Sequence, residues 1–399
     1  MLVCLVESYP LNNNMSNIKL VFYDFVGTFG GAQQSTVAML NALNYELPSP
    51  PLAILPQDSN KQFVAALKCE VKLLSSNDRN FNIFRVGRSK IRGIMYLLRS
   101  AIQLHELLKD KSFRDKRIVF LCNSSKALVV LSLIRLTHFR NVRLAYYARG
   151  WGKFSQYSTL TRMLLRHCTD VIFCVSQQTK QNLMRVTKHR QRLLVTYTSV
   201  DHSILPIKPL SRKSSLDRIN LLFAGAILPT KGIHLIIEAL SKLDKETRSR
   251  FHLYIAGNFN LKETRNYYDC CSRLAADSSV NITWMGWRDD VPDLIFNSDI
   301  VCLPSYSEGM PRIVQEAMYV GTLAIATPVG GIPEIIIPQE TGFLMEIDNS
   351  TSLFTILEHV AKAGIDVRMI QQARSLISSK FSLSRQAHQI KTILDKLWT

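Results

Sequence analysis

The sequence predicts an α/β protein of two domains, each a parallel sheet wrapped by helices. Three observations carry this. The chain has 399 residues, too many for one ordinary hydrophobic core. Short apolar runs of strand type alternate with longer helical runs along nearly its whole length, the pattern of parallel strands joined by helical crossovers. That alternation breaks near Pro206, Pro209 and the polar run Ser211-Arg212-Lys213-Ser214-Ser215, and then begins again. The boundaries expected are an irregular tail over 1–17, a first domain over 18–202, a linker over 203–218, a second domain over 219–382 and a final helical segment over 383–399.

Composition narrows the class. Hydrophobic residues make up 47% of the chain and charged residues 20%, as in a folded protein and unlike a disordered one. The longest apolar runs, 127–136 and 332–337, are too short or too interrupted to cross a bilayer. Residues 1–6 are apolar but lack a basic start and run into Glu7, which makes a poor signal peptide; Met15 is an alternative start. The eight cysteines, at positions 4, 69, 122, 168, 174, 270, 271 and 302, form no Cys-x-x-Cys pair and no regular spacing. A reducing cytoplasm is therefore expected, with neither a disulfide framework nor a zinc site. The net charge of +18 is uneven: residues 1–205 hold 28 Lys and Arg against 11 Asp and Glu, and residues 206–399 hold 21 against 20. A first half at +17 suits an anionic partner, with lipid headgroups, an anionic acceptor and nucleic acid open beside plain solubility.

Taken in order, Ile18-Lys19-Leu20-Val21-Phe22-Tyr23 reads as a buried first strand, followed by Gly30-Gly31 and a helical run to Leu43. Paired glycines between strand and helix let backbone amides approach a phosphate, although they also mark any tight turn. Strands follow at 52–55, 118–122, 142–147, 171–175 and 193–197, with helices at 90–108, 125–136, 159–167 and 178–186. Arg85, Arg88, Lys90, Arg92 and Arg99 surround the apolar residues Ile91, Ile94, Met95, Leu97 and Leu98. Lys180, Arg185, Lys188, Arg190 and Arg192 form a second basic cluster. An apolar helix face flanked by Arg and Lys suits an anionic membrane surface as well as ordinary packing on a sheet. In Tyr146-Tyr147-Ala148-Arg149-Gly150-Trp151-Gly152, Arg149 is the one strong polar side chain, open between binding an acceptor carboxylate or phosphate and pairing on the surface.

The second series places strands at 219–224, 252–256, 282–285, 300–303 and 323–326. The first is followed by Gly225-Ala226-Ile227-Leu228-Pro229-Thr230-Lys231-Gly232, while Gly257 and Gly286 close two others where a nucleotide can face the backbone. The stretch richest in chemistry is Ser305-Tyr306-Ser307-Glu308-Gly309-Met310-Pro311-Arg312-Ile313-Val314-Gln315-Glu316-Ala317-Met318. It follows an apolar strand, and Pro311 suits the first turn of a helix, which gives strand, loop, helix. Glu308 sits in the loop and Glu316 on the helix eight positions along, roughly 12 Å at about 1.5 Å of rise per residue. The N–H groups of the first turn lie between them, where a phosphate is favoured. A bare pair of this kind is usually an acid favoured by the helix dipole and a solvated Glu. It also suits two hydroxyl acceptors for sugars joined through a diphosphate, a hexose at one end and a ribose at the other.

Glu308-Gly309-Met310-Pro311-Arg312 through Glu316-Ala317-Met318, with Gly321, Pro328-Val329-Gly330-Gly331-Ile332-Pro333-Glu334 and Thr341-Gly342-Phe343-Leu344, resembles the donor-site signature of the retaining GT-B glycosyltransferases of family GT4. The likeness runs over about forty residues and includes the family's two-glutamate motif. It implies the GT-B fold, two Rossmann-like domains facing each other across a cleft, with the acceptor on the first and a nucleoside-diphosphate sugar on the second. It implies Glu316 on the ribose hydroxyls, and Glu308 with the backbone of Gly309, Met310 and Pro311 on the transferred sugar. Lys231 and the Gly30-Gly31 amides would stabilise the developing diphosphate charge. Gln33 stands where the family usually has an acidic residue, Ala226 where it has an arginine, and no histidine lies near Arg149, the candidate acceptor contact. The final helix resembles one that crosses back to the first domain in this fold.

The activity implied is transfer of a sugar, with retention, to an acceptor hydroxyl in cell-surface polysaccharide or glycolipid assembly. No Asp-x-Asp occurs, so no essential metal is expected, and no cofactor beyond the nucleoside-diphosphate sugar as co-substrate. The partners expected are that donor, a saccharide or lipid-linked saccharide acceptor and, through the basic first domain, the inner face of an anionic membrane; nucleic acid is not expected. An epimerase-type nucleotide-sugar enzyme and a non-catalytic sugar-nucleotide binder stay open. A dehydrogenase is disfavoured because no Gly-x-Gly-x-x-Gly follows a strand.

Overall fold

The computed structural model describes residues 18–75, 90–114, 116–138, 140–150, 157–187, 192–209 and 217–398. The expected tail over 1–17, residues 210–216 of the expected linker, and Arg85, Arg88, Lys188 and Arg190 lie outside the described residues.

The strands are β1 (Ile18–Tyr23), β2 (Leu52–Pro56), β3 (Glu70–Leu74), β4 (Arg117–Cys122), β5 (Val142–Ala148), β6 (Val171–Cys174) and β7 (Leu193–Val195), then β8 (Ile219–Ala224), β9 (Phe251–Ala256), β10 (Ile282–Gly286), β11 (Ile300–Leu303), β12 (Leu323–Ala326) and β13 (Phe343–Leu344). They form two sheets, one of seven strands in the order β3-β2-β1-β4-β5-β6-β7 and one of six in the order β10-β9-β8-β11-β12-β13. Pairing is parallel, with Val21 opposite both Leu52 and Phe120 in the first sheet and Val301 opposite both Leu222 and Ala324 in the second. The central strands are apolar throughout because helices cover both faces of such a sheet. Every residue of β2, β11 and β12 is buried, and Val21, Phe22 and Tyr23 of β1 are fully so.

Each sheet begins in its middle, winds two strands to one side, then returns to the other side of its first strand. This is the doubly wound order, and it leaves a topological switch point between β1 and β4 in one sheet and between β8 and β11 in the other. The α/β class and the two parallel sheets are those the sequence predicts.

Four local differences have physical reasons. β3 was not expected, because Glu70 and Lys72 interrupt its apolar pattern; as an edge strand it leaves Glu70 exposed and the Lys72 ammonium 3.8 Å from it. β7 ends two residues short of the expected strand, although the Thr196 N–H still donates to the Cys174 carbonyl at 2.8 Å. The first helix, Gly31–Glu46, takes Gly31 as its first residue and Gly30 as its N-cap, so the glycine pair is not a free loop. Pro311 is the extended N-cap of the helix Arg312–Val320, one position outside the first turn.

By contacts, the described residues divide into two compact units. One falls within Met1–Tyr147, Thr159–Ile172 and Ala387–Thr399, the other within Ala148–Ser158 and Phe173–Gln386. In the first unit, His388 Nδ1 of the last helix lies 2.9 Å from a Glu46 carboxyl oxygen and Lys391 Nζ lies 3.9 Å from the same atom. No helix among the described residues is long and apolar enough to cross a membrane.

Candidate functional site

Ligands of doubly wound sheets bind beyond the carboxyl ends of the strands at the switch point, where the two flanking loops diverge and leave a crevice. In the second unit those loops follow β8 and β11. They are fastened to each other. The Tyr306 N–H donates to the Thr230 carbonyl at 3.0 Å. Gly232 has φ of +69° and a Cβ there would fall on the Pro304 carbonyl, so only glycine lets the first loop turn this close to the end of β11.

Lys231 closes the short turn Pro229–Lys231, and the fastening brings its ammonium to Glu308 across 77 residues of sequence. Nζ lies 2.6 Å from Glu308 Oε1, with the two side chains 24% and 13% exposed. Glu308 is held from behind by the Pro328-Val329-Gly330-Gly331 turn. Gly330, at φ of +61°, packs so closely that a Cβ would meet the Glu308 carbonyl, and the Gly331 N–H donates to the Gly309 carbonyl at 2.6 Å. The second half of the motif is thus a backing for the first.

Glu316 lies one helix face further on and is buried. Its Oε1 accepts from Arg312 Nε at 3.0 Å and Arg312 Nη2 at 2.7 Å, an i,i+4 pair whose side chains are 8% and 15% exposed. Beside it the buried Gln315 amide donates to the Thr198 carbonyl at 3.0 Å and fixes the helix. Gly309, the nearly buried Met310 and Pro311 join the Glu308 loop to this helix. The second unit therefore presents two ion pairs, Lys231–Glu308 and Arg312–Glu316, at either end of a loop and a helix start.

A polar chain flanks the first pair. Tyr306 Oη donates to Asp348 Oδ1 at 2.5 Å and lies 3.4 Å from His234 Nε2, while His234 Nδ1 and Tyr267 Oη are 2.7 Å apart. Burial, followed by the neighbouring Asp348 carboxylate, pushes the Tyr306 phenol up to about 12.

The structure brings Lys231, Glu308, Gly309, Met310, Pro311 and Glu316 into one region of the second unit. Arg149, half-buried just after β5, belongs to the same unit and has its carbonyl against Gly309. Gly30 and Gly31 belong to the other unit, at the N-terminus of Gly31–Glu46, where the Gly30 N–H donates to Gln33 Oε1 at 3.2 Å. Gln33, in the place of the family's usual acid, thus caps its own helix. Ala226 is exposed. Sequence reasoning gave Arg312 no role, although its position four residues before Glu316 is itself the signal for a helical ion pair. The Tyr306–Asp348 contact spans 42 residues and has no local signal. A cavity of about 330 Å³ opens at the opposite end of the same sheet, lined by Lys208, Arg218, Asn220 and Asp299 at the amino ends of β8 and β11, away from both ion pairs.

Residues 209–375, which hold both pairs and their backing turn, match the family described as Glycosyl transferases group 1. That match spans 167 of the 399 residues. Among curated relatives, an uncharacterized glycosyltransferase of Methanocaldococcus jannaschii is 27% identical over 233 residues, 57% of this chain and 60% of that protein. An alpha-1,4-N-acetyl-D-galactosaminyltransferase of Campylobacter jejuni, named for a diNAcBac-PP-undecaprenol acceptor, is 24% identical over 334 residues, 83% of this chain and 85% of that one. The chain spans about three fifths of the length of the first curated relatives it matches, 61% and 60%. The solved structure of Anabaena HepE with UDP and glucose superposes with a TM-score of 0.75 at 18% identity, covering 95% of this chain and 99% of that one. At that identity the likeness speaks for the fold, which is GT-B.

Proposed function

We propose that the protein is a retaining glycosyltransferase that moves a sugar from a nucleoside-diphosphate sugar to an acceptor hydroxyl. The observation that carries this reading is the Lys231–Glu308 pair, set 2.6 Å apart beyond β8 and β11 where a doubly wound sheet takes its ligand. In this reading Glu316 accepts the ribose hydroxyls, and Glu308 with the backbone of Gly309, Met310 and Pro311 holds the transferred sugar. Lys231 turns from Glu308 to the diphosphate as charge develops there, the electrostatic task of the reaction. The Gly30 and Gly31 amides, at a helix start that favours anions, also serve the diphosphate. Arg149 contacts the acceptor. Residues 18–202 act as the acceptor domain and 219–382 as the donor domain.

Support for the donor class comes from HepE, solved with UDP-glucose, and support for the acceptor class from the undecaprenol-linked acceptor in the Campylobacter jejuni relative's name. We therefore take the acceptor to be a saccharide or lipid-linked saccharide of cell-surface polysaccharide or glycolipid assembly. A non-catalytic sugar-nucleotide binder is the second reading, favoured by the exposed Ala226 in place of a family cation. Thermal shift against UDP-, GDP- and ADP-sugars identifies the donor, since a ligand bound only by the native state raises the melting temperature. Donor hydrolysis or transfer that is present in the wild type and lost in Glu308→Gln supports the enzyme. Donor binding with no turnover in either form supports the binder.

A further inference from the structure

Lys231 and Glu308 meet only while the loops after β8 and β11 stay in register, and Tyr306 touches the first loop on both sides of the lysine. Its N–H donates to the carbonyl of Thr230, the residue before Lys231, at 3.0 Å. Its phenol oxygen lies 3.4 Å from Nε2 of His234, three residues after Lys231, and the two rings are parallel within 13°. Glu308 follows Tyr306 by two residues. The tyrosine thus brackets the lysine while its own loop carries the glutamate. Two other elements hold the bracket. Asp348, in the turn after β13, accepts from the phenol at 2.5 Å. On the far side Tyr267, of the helix Lys262–Asp277, anchors His234: its oxygen accepts the His234 backbone N–H at 3.1 Å and lies 2.7 Å from His234 Nδ1. With the Tyr267 hydroxyl proton on Nδ1, Nε2 carries the ring proton and turns it to Tyr306.

Plain structural work accounts for only part of this chain. Gly232, the N-cap of the helix Ile233–Ser241, has no side chain to cap with, and the Tyr267 oxygen takes over that duty. Asp348 has no such duty. The helix that follows it, Ser350–Ala363, is capped by Asn349, whose Oδ1 accepts from the Thr351 and Ser352 N–H groups. Asp348 is exposed, so its bond to the phenol competes with water and adds little to stability. Yet its backbone is left-handed, at φ of +57°, a conformation that residues other than glycine enter rarely. Backbone outliers of this kind cluster at functional sites. Burial, followed by the Asp348 carboxylate, keeps the phenol protonated, so it stays a donor throughout the neutral range. When Lys231 leaves Glu308 for a diphosphate, the ion pair no longer joins the two loops, and the bracket is what keeps their geometry.

We propose that Tyr306, fixed by Asp348 and His234, is a positioning residue that keeps Lys231 and Glu308 in register; its effect on turnover rests on the glycosyl-transfer reading, its effect on the pair does not. The first test is calorimetric melting of Lys231→Met, Glu308→Gln and their double variant, in the wild type and in Tyr306→Phe. The non-additive part of the melting shifts is expected to fall by at least about half in the Tyr306→Phe background. The second test is turnover of the donor selected by thermal shift. Tyr306→Phe and Asp348→Ala are expected to lower kcat by about tenfold or more with KM within about threefold, because misplaced groups cost the transition state more than ground-state binding. Asp348→Asn, which still accepts from the phenol, is expected to keep kcat within about threefold of the wild type. Undiminished coupling of the pair in Tyr306→Phe, a wild-type kcat in that variant, or equal losses in Asp348→Asn and Asp348→Ala overturns the proposal. So does a raised KM with kcat unchanged, which would make Tyr306 a donor contact rather than a support. A wild type that turns over no donor defeats the glycosyl-transfer reading instead, and the melting cycle then decides the role of Tyr306.

Discussion

Replacing Lys231 with Met removes the ammonium from a pair set 2.6 Å apart and strands the Glu308 carboxylate, whose side chain is only 13% exposed. Exposed ion pairs contribute roughly 0.2–1 kcal/mol, whereas breaking a fully buried pair costs about 3–5 kcal/mol because the remaining charge is left desolvated. With side chains 24% and 13% exposed, the pair lies between these limits, and the variant is expected to lose about 1–3 kcal/mol. For a unit of this size that is a fall of about 3–10 °C in the melting of the second unit. The charge-neutral double variant Lys231→Met/Glu308→Gln should recover most of the loss, because the cost comes from the unpaired carboxylate rather than from lost packing. Calorimetric melting of wild type, both single variants and the double variant closes the cycle. The same variant should bind a nucleoside diphosphate about 10–150-fold more weakly, the worth of one charge-assisted hydrogen bond. Wild-type stability together with wild-type nucleotide affinity in Lys231→Met would refute the placement of this lysine at the diphosphate.

Three further outcomes follow from the geometry. Glu316→Gln should weaken nucleoside-diphosphate binding by about tenfold while hardly changing the affinity for the 2′,3′-dideoxy analogue, read by titration calorimetry, because a ribose hydroxyl is the proposed partner. Gly330→Ala would put a Cβ on the Glu308 carbonyl in a left-handed backbone; a loss of about 1–3 kcal/mol in denaturant unfolding and a fall in turnover are expected. Acidification from neutral pH should destabilise the second unit through His202, which stacks on Tyr319 at 4.1 Å and has a buried Nε2. Burial holds its pKa below the ordinary 6.5 against the opposing pull of Asp201. The unfolded chain therefore takes up the proton first, and this contribution, present above 6.5, is lost as pH falls through the lower folded value. His202→Gln should show a shallower fall in melting temperature over that window.

The sheet strands were legible because burial on both faces makes them near-continuous apolar runs, and the helices at 90–108 and 159–167 end where the sequence places them. β3 was hidden by Glu70 and Lys72, which only its place at a sheet edge accommodates. The identity of Glu308 and Glu316 as candidates was legible from the family resemblance of the residues around them, but their partners were legible only in part. Arg312 stands one helical turn before Glu316 and could have been paired with it from spacing alone. Lys231 reaches Glu308 only because β8 and β11 are neighbours in a sheet whose order is not the order of the chain. The Gly330-Gly331 turn has the same origin: its glycines answer to the carbonyls of Glu308 and Gly309, 22 residues earlier, and nothing local says so.

Titration calorimetry of the thermal-shift-selected donor and its parent nucleoside diphosphate, on wild type and Glu308→Gln, bears most directly on the claim that the β8–β11 switch point grips an activated sugar. The variant should keep the nucleoside-diphosphate affinity within about threefold and lose at least about tenfold for the sugar-bearing donor, some 1.4 kcal/mol carried by the sugar alone. Equal affinities of variant and wild type for both ligands, or a wild type that binds neither, would contradict it.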